Sequence, residues 1–153
     1  MGDIDPGGQV DFDFDGSLEL ARKLWALAED IEQEDRGRGR QAETAVRKWA
    51  GPYATQFAER RATEEASATN VIAGLQADAQ AWAAAWVEAM YQQNKNNRAA
   101  EVQDVRDDRG FFEKGWDEYG FGEDDSESKV AAAERPATPQ PPSFHPTDTL
   151  QNF

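Results

Sequence analysis

The sequence predicts an all-α fold, namely an antiparallel helical hairpin with a long second helix and a disordered C-terminal tail. Apolar residues recur at helical spacing over two long stretches, a turn-forming sequence separates the stretches, and prolines concentrate near the C-terminus. The predicted organisation is a flexible or extended arm at 1–16, a helix at 17–48, a turn at 49–52, a helix at 53–109, an acidic aromatic segment at 110–125 and a disordered tail at 126–153.

The turn is predicted from Trp49-Ala50-Gly51-Pro52-Tyr53. A glycine just past the last helical residue commonly takes the left-handed conformation that closes a helix. Pro52 suits the first position of the next helix, where its missing N–H costs nothing. Trp49, Tyr53 and Phe57 give the corner apolar bulk. Two helices joined this tightly are expected to lie antiparallel.

The arm and the first helix are predicted from periodicity. Residues 10–15 alternate apolar and acidic side chains, as extended chains do, so we expect Val10, Phe12 and Phe14 to face a helix groove. Ser17 is a suitable cap for a helix that begins at the next residue. The apolar stripe of that helix contains Leu18, Ala21, Trp25, Ala28, Ile31, Ala42, Ala45, Val46 and Trp49.

The stripe is interrupted at Arg36–Arg40, where two glycines alternate with three arginines. A glycine inside a helix costs about 1 kcal/mol relative to alanine, so we expect the helix to kink or break here. The arginines offer contacts to an acidic partner or a phosphate, although such a run is more often a solvated interruption.

The second helix is rich in alanine between residues 66 and 89, which favours helix and lets a neighbour approach closely. Trp82 and Trp86 lie one turn apart on one face. Aromatic side chains dominate interface energetics, and one short helix cannot cover them all. The residues expected to contact a partner are Trp25, Val71, Leu75, Trp82 and Trp86.

Composition limits the classes of function. The chain is 39% hydrophobic, with much of that alanine, so a hairpin of this size is expected to need a partner. Its net charge of −14 argues against nonspecific binding to nucleic acid or anionic membrane. The absence of cysteine excludes disulfides and thiolate sites. We expect no membrane insertion and, because no secretory leader is read at the start, export by a leaderless route.

Catalytic and metal sites are not expected, and neither is a cofactor. Residues 11–16 have the acids and the glycine that begin a calcium-binding loop, but the twelfth position holds Arg22 instead of a glutamate ligand. An acidic arm that leads into a helix is the simpler interpretation. His145 is the only histidine and lies among prolines, away from any base or ligand partner.

Two long helices joined at Trp49-Ala50-Gly51 resemble the W-x-G helical-hairpin proteins of type VII secretion, the early-secreted-antigen-like family, over about residues 10–95. The resemblance implies a homodimer or a heterodimer with a related hairpin, and recognition by a secretion ATPase. It also implies an export signal of the form Y-x-x-x-[D/E] after the second helix. Tyr91 lies near the expected place but is followed by Lys95, whereas Tyr119 with Glu123 fits the spacing and is favoured.

The leading hypothesis is therefore a non-enzymatic secretion substrate or secretion partner, cytoplasmic before export. Two other classes remain open. The excess of carboxylates in residues 101–127 also suits an intracellular acidic binding or immunity protein with a basic partner. A structural helical subunit of a larger assembly is the third possibility.

Overall fold

The computed structural model describes residues 3–108 and 133–146. Within them it contains two helices, α1 (Phe14–Val46) and α2 (Pro52–Asp108), and no strand. The helices pack against each other and α2, at 57 residues, is much longer than α1, at 33. The predicted helical hairpin with a long second helix is thus confirmed. The acidic aromatic segment at 110–125 and part of the predicted tail lie outside the described residues.

The helix α1 begins at Phe14, so the predicted start after a Ser17 cap is wrong. Asp13 occupies the position before the first helical residue, where aspartate is a preferred cap. Asp15 lies in the first turn, where a carboxylate complements the helix dipole. Ser17 and Leu18 instead lie within the first turns of α1, and both side chains are buried. The acidic alternation that indicates an extended arm therefore also supplies the signals that start the helix.

The helix α1 continues without interruption through Arg36–Arg40, so it does not break where a kink or break was predicted. Two of the arginines pair with carboxylates one turn earlier: Arg36 Nη2 lies 2.5 Å from Glu32 Oε1, and Arg38 Nη2 lies 2.6 Å from Glu34 Oε1. Each such pair adds about 0.2–0.5 kcal/mol to a helix, which offsets part of the glycine cost.

A contact between the helices supports the same stretch. Arg61 on α2 donates from Nη2 to the carbonyl oxygen of Asp35 at 2.9 Å and to its carboxylate Oδ1 at 2.7 Å. A Cβ added at Gly39 would lie 3.5 Å from this Arg61 Nη2. The sequence of α1 alone does not show that a residue of α2 contacts it here. The two glycines therefore predicted a break that the structure does not have.

The turn follows the end of α1 at Val46. The Trp49 N–H donates to the Val46 carbonyl at 2.9 Å. Gly51 has a φ of 100°, which non-glycine residues rarely adopt. Its carbonyl accepts the N–H groups of Ala54 at 3.1 Å and Thr55 at 3.4 Å. Gly51 therefore starts α2, which begins at Pro52, rather than closing α1.

The chain divides into two compact units. One contains Asp15–Ala83 and Pro139–His145, and it is called the turn unit below. Its buried apolar side chains are Leu18, Ala21, Ala28, Ala79, Ala83 and Phe144. The other contains Met1–Phe14, Ala84–Thr138 and Pro146–Phe153, and is called the arm unit. Its buried apolar side chains among the described residues include Trp86, Val87 and Ala99.

Candidate interaction surfaces

Four large apolar side chains of the turn unit stay exposed away from the turn. Their exposed fractions are 38% for Leu20, 48% for Leu27, 51% for Val71 and 40% for Trp82. The first two are seven residues apart on α1, and the last two are eleven apart on α2. Both spacings are close to whole helical turns, so each pair forms one stripe along its helix.

The two exposed stripes lie on the same side of the hairpin. Three of the exposed residues directly precede a buried alanine, in the steps Leu20–Ala21, Leu27–Ala28 and Trp82–Ala83. The exposed stripe is therefore rotated in the same sense, by about 100°, from the buried stripe of each helix. In an antiparallel pair equal rotations place both stripes on one side. Leu20, Leu27, Val71 and Trp82 together are called the exposed apolar face.

Trp25 lies on the other side of α1. It is five residues after Leu20 and two before Leu27, which places it about 140–160° around the helix from both. The Trp25 ring contacts the Phe144 ring at a centroid distance of 5.9 Å and an angle of 67°. Phe144 is completely buried. Trp25 is half-buried and contacts the chain's own C-terminal segment, and its predicted contact with a partner stays a prediction.

Two other predicted interface residues are less available than Val71 and Trp82. Leu75 is half-buried and lies one turn from both Val71 and the buried Ala79, at the border of the exposed face. Trp86 is only 3% exposed and is buried within the arm unit, so little of its ring is available for its predicted contact with a partner. Helical spacing places Trp82 and Trp86 on adjoining positions, but it cannot determine which of the two is covered.

The corner itself forms a second exposed apolar site. Trp49 packs edge-on against Phe57, with ring centroids 6.0 Å apart, and both rings together with Tyr53 remain exposed. These side chains line an open groove with Lys48 and Arg60 at its border. The predicted turn residues thus bring together an aromatic surface that is flanked by positive charge.

Of the predicted export-signal residues, only Tyr91 is described. Its ring lies 4.8 Å from Lys95 Nζ and 5.4 Å from Arg135 Cζ, both in cation–π geometry. Lys95, the residue that departs from the signal pattern, is buried. Tyr119 and Glu123 lie outside the described residues.

The sequence predicts that the N-terminal arm faces a helix groove, but it does not predict the hydrogen bonds that attach the arm to α2 in the arm unit. Asn96 accepts the Asp5 N–H at Oδ1, at 3.2 Å, and donates from Nδ2 to the Gly8 carbonyl at 3.0 Å. Gln93 accepts the Val10 N–H at 2.8 Å and donates to the same Gly8 carbonyl at 3.2 Å. Gln92 also donates from Nε2 to the Asp3 carbonyl at 3.2 Å, so three amide side chains hold the arm through its backbone.

The apolar side chains of the arm follow the predicted alternation. Val10, Phe12 and Phe14 are half-buried, whereas the acidic residues between them are exposed. The rings of Phe12 and Phe14 meet edge-on at 5.1 Å. The available signal for the attachment was the amide-rich run at 92–97, which interrupts a helix otherwise rich in alanine and charge.

No group of three or more potential metal ligands occurs among the residues that the structure describes. The calcium-loop interpretation of residues 11–22 is also contradicted directly, because the chain is helical from Phe14 onward. Across 3–108 and 133–146, neither helix combines the length and the apolar character that a membrane span requires.

Comparison of the chain with known protein families, with curated proteins and with solved structures found no match.

Proposed function

We propose that this chain is a non-enzymatic helical-hairpin substrate or partner protein of type VII secretion, which pairs with a second hairpin through its exposed apolar face. The observation that carries the proposal is that face, which presents Leu20, Leu27, Val71 and Trp82 on one side of two antiparallel helices. Exposed apolar surface of this kind, bordered by polar residues, is typical of protein contact sites. The resemblance allows a second copy or a related hairpin as the partner, and we propose the second copy.

The connection between the helices supports the same proposal. The Trp49-Ala50-Gly51 sequence lies at the turn, and Gly51 needs a positive φ that other residues adopt only with strain. A glycine at this position therefore has a structural reason. The resemblance to W-x-G hairpins thus concerns the place where this chain reverses direction.

The size of the face suggests a weak association. Fully burying a large apolar side chain contributes about 1.5–3 kcal/mol, so covering a half-exposed one contributes roughly 1 kcal/mol. Eight such side chains in a symmetric pair give roughly 8 kcal/mol, which is similar to the entropic cost of association. Pairing is therefore expected to depend on concentration and to need additional contacts.

Export is proposed to depend on recognition of a tyrosine–acid segment by a secretion ATPase, with the protein cytoplasmic before it leaves the cell. The test compares export of the full chain and its variants from a strain with a type VII system. Tyr119→Ala and Glu123→Ala are expected to retain the protein in the cells, whereas Tyr91→Ala, which alters a ring already engaged by Lys95 and Arg135, is expected to be exported.

Equal amounts in the medium for all variants and the wild type would contradict this choice of signal. No wild-type protein in the medium would contradict the export proposal as a whole. Intracellular levels measured on the same samples separate loss of export from loss of the protein.

A further inference from the structure

The C-terminal segment Pro139–His145 docks on the turn unit through one deeply buried side chain. Phe144 is 0% exposed and is the largest side chain buried so completely among the described residues. Its ring meets Trp25 of α1 edge-on. Pro139 is also buried, whereas Pro142, Ser143 and His145 are exposed. A single aromatic anchor with exposed neighbours is how short peptides are commonly recognised.

The docked segment forms its own turn. The Phe144 N–H donates to the Gln140 carbonyl at 2.9 Å, so this backbone bond lies within the segment rather than between the segment and α1. Proline-rich chains also lose little conformational freedom when they bind, and aromatic sites are their usual receptors. A peptide with this sequence therefore contains most of the features that docking requires.

The backbone at Phe144 opposes docking. Its φ of 44° lies in the left-handed region, which a bulky residue adopts only when its surroundings hold it there. Burial of the Phe144 ring keeps the backbone in this conformation, and release of the segment relieves the backbone strain. The two effects act against each other, so the docked state is open to exchange.

We propose that the Trp25 side of α1 is a binding site for a proline-flanked phenylalanine peptide, and that Pro139–His145 occupies it as an internal, exchangeable ligand. When the internal segment leaves, its replacement is the same segment of a second copy of the chain. The site lies on the side of α1 away from Leu20 and Leu27, so the inference does not rest on the proposed function.

The test uses the full chain with Phe144→Ala, which vacates the site, and a fluorescent peptide comprising residues 136–146. Anisotropy is expected to show binding to Phe144→Ala at least tenfold tighter than to the wild type, whose own segment competes. His145→Ala, which alters an exposed neighbour of the anchor, is expected to behave as the wild type. A peptide that carries Phe144→Ala is expected not to bind.

A second measurement locates the peptide without a variant at Trp25. The Trp25 indole N–H donates to Glu29 Oε1 at 3.1 Å, and its NMR signal reports on the surroundings of this ring. In Phe144→Ala, added peptide is expected to return that signal to its wild-type position. Equal peptide binding by the wild type and Phe144→Ala, no binding by Phe144→Ala, or binding that leaves the Trp25 signal unmoved would overturn the proposal.

Discussion

Arg61 Nη2 lies 2.7 Å from Asp35 Oδ1 and 2.9 Å from the Asp35 carbonyl oxygen, so one guanidinium joins α2 to both the side chain and the backbone of α1. The two side chains are only 14% and 20% exposed. The bridge lies beside Gly37 and Gly39, in the part of α1 whose sequence favours helix least. It therefore connects the hairpin where local propensity is weakest.

Replacing Arg61 by alanine is expected to lower the free energy of unfolding by about 1–3 kcal/mol, because it leaves a mostly buried carboxylate without its charged donor. Urea denaturation followed by circular dichroism measures the change. Arg36→Ala is the matched control, since Arg36 pairs with Glu32 at an exposed site where an ion pair contributes about 0–1 kcal/mol. Equal losses for the two variants would contradict the role given to Arg61.

Gly51→Ala is expected to destabilise the hairpin by about 1–3 kcal/mol, because alanine is strained at the φ of 100° that the turn requires. Gly37→Ala is expected to have the opposite sign. A Cβ at Gly37 would meet no atom within 4 Å, so helix propensity alone should add up to about 1 kcal/mol. Thermal unfolding measures the sign of the stability change in both variants. An unchanged stability in Gly51→Ala would show that the turn does not depend on its glycine.

Asn96→Ala is expected to loosen the first part of the arm on α2, although the Gly7 N–H keeps its bond to the backbone carbonyl of residue 96. The substitution removes the acceptor of the Asp5 N–H and a donor to the Gly8 carbonyl, so amide exchange at Asp5 should accelerate while α2 stays helical. Hydrogen exchange followed by NMR measures this. Asn94→Ala is the control, because Asn94 donates to the Glu134 carbonyl instead of the arm. Unchanged Asp5 exchange in Asn96→Ala would contradict the attachment.

The sequence was most informative where structure is determined locally. The reversal of the chain at Trp49–Pro52 follows from turn and cap chemistry within a few residues, and α2 begins at Pro52, one residue before the predicted bound. The predicted start of α1 failed because a second suitable cap, Asp13, lies four residues before Ser17, whereas the predicted break in α1 failed because of a contact with a distant residue. Arg61 supports the stretch that Gly37 and Gly39 were expected to interrupt.

The exposed surfaces also show which features local sequence predicts and which depend on distant residues. Helical spacing correctly identifies apolar stripes, but the exposure of each residue depends on what covers it. Val71 and Trp82 remain exposed, whereas Phe144 covers Trp25 from a proline-rich segment with neither helix nor strand among residues 133–146. Nothing in the local pattern around Phe144 indicates that its ring is buried. The arm likewise reads as extended chain, and its receptor amides lie more than eighty residues away.

Size-exclusion chromatography with light scattering measures whether the exposed apolar face pairs two copies of the chain. The wild type is expected to rise from 17.0 kDa towards twice that mass with concentration. Val71→Asp is expected to stay at the monomer mass, while Ala77→Asp, the same substitution on an exposed part of α2 away from the face, behaves as the wild type. A wild type that remains at 17.0 kDa, or a Val71→Asp variant that pairs equally well, would show that this face does not pair two copies.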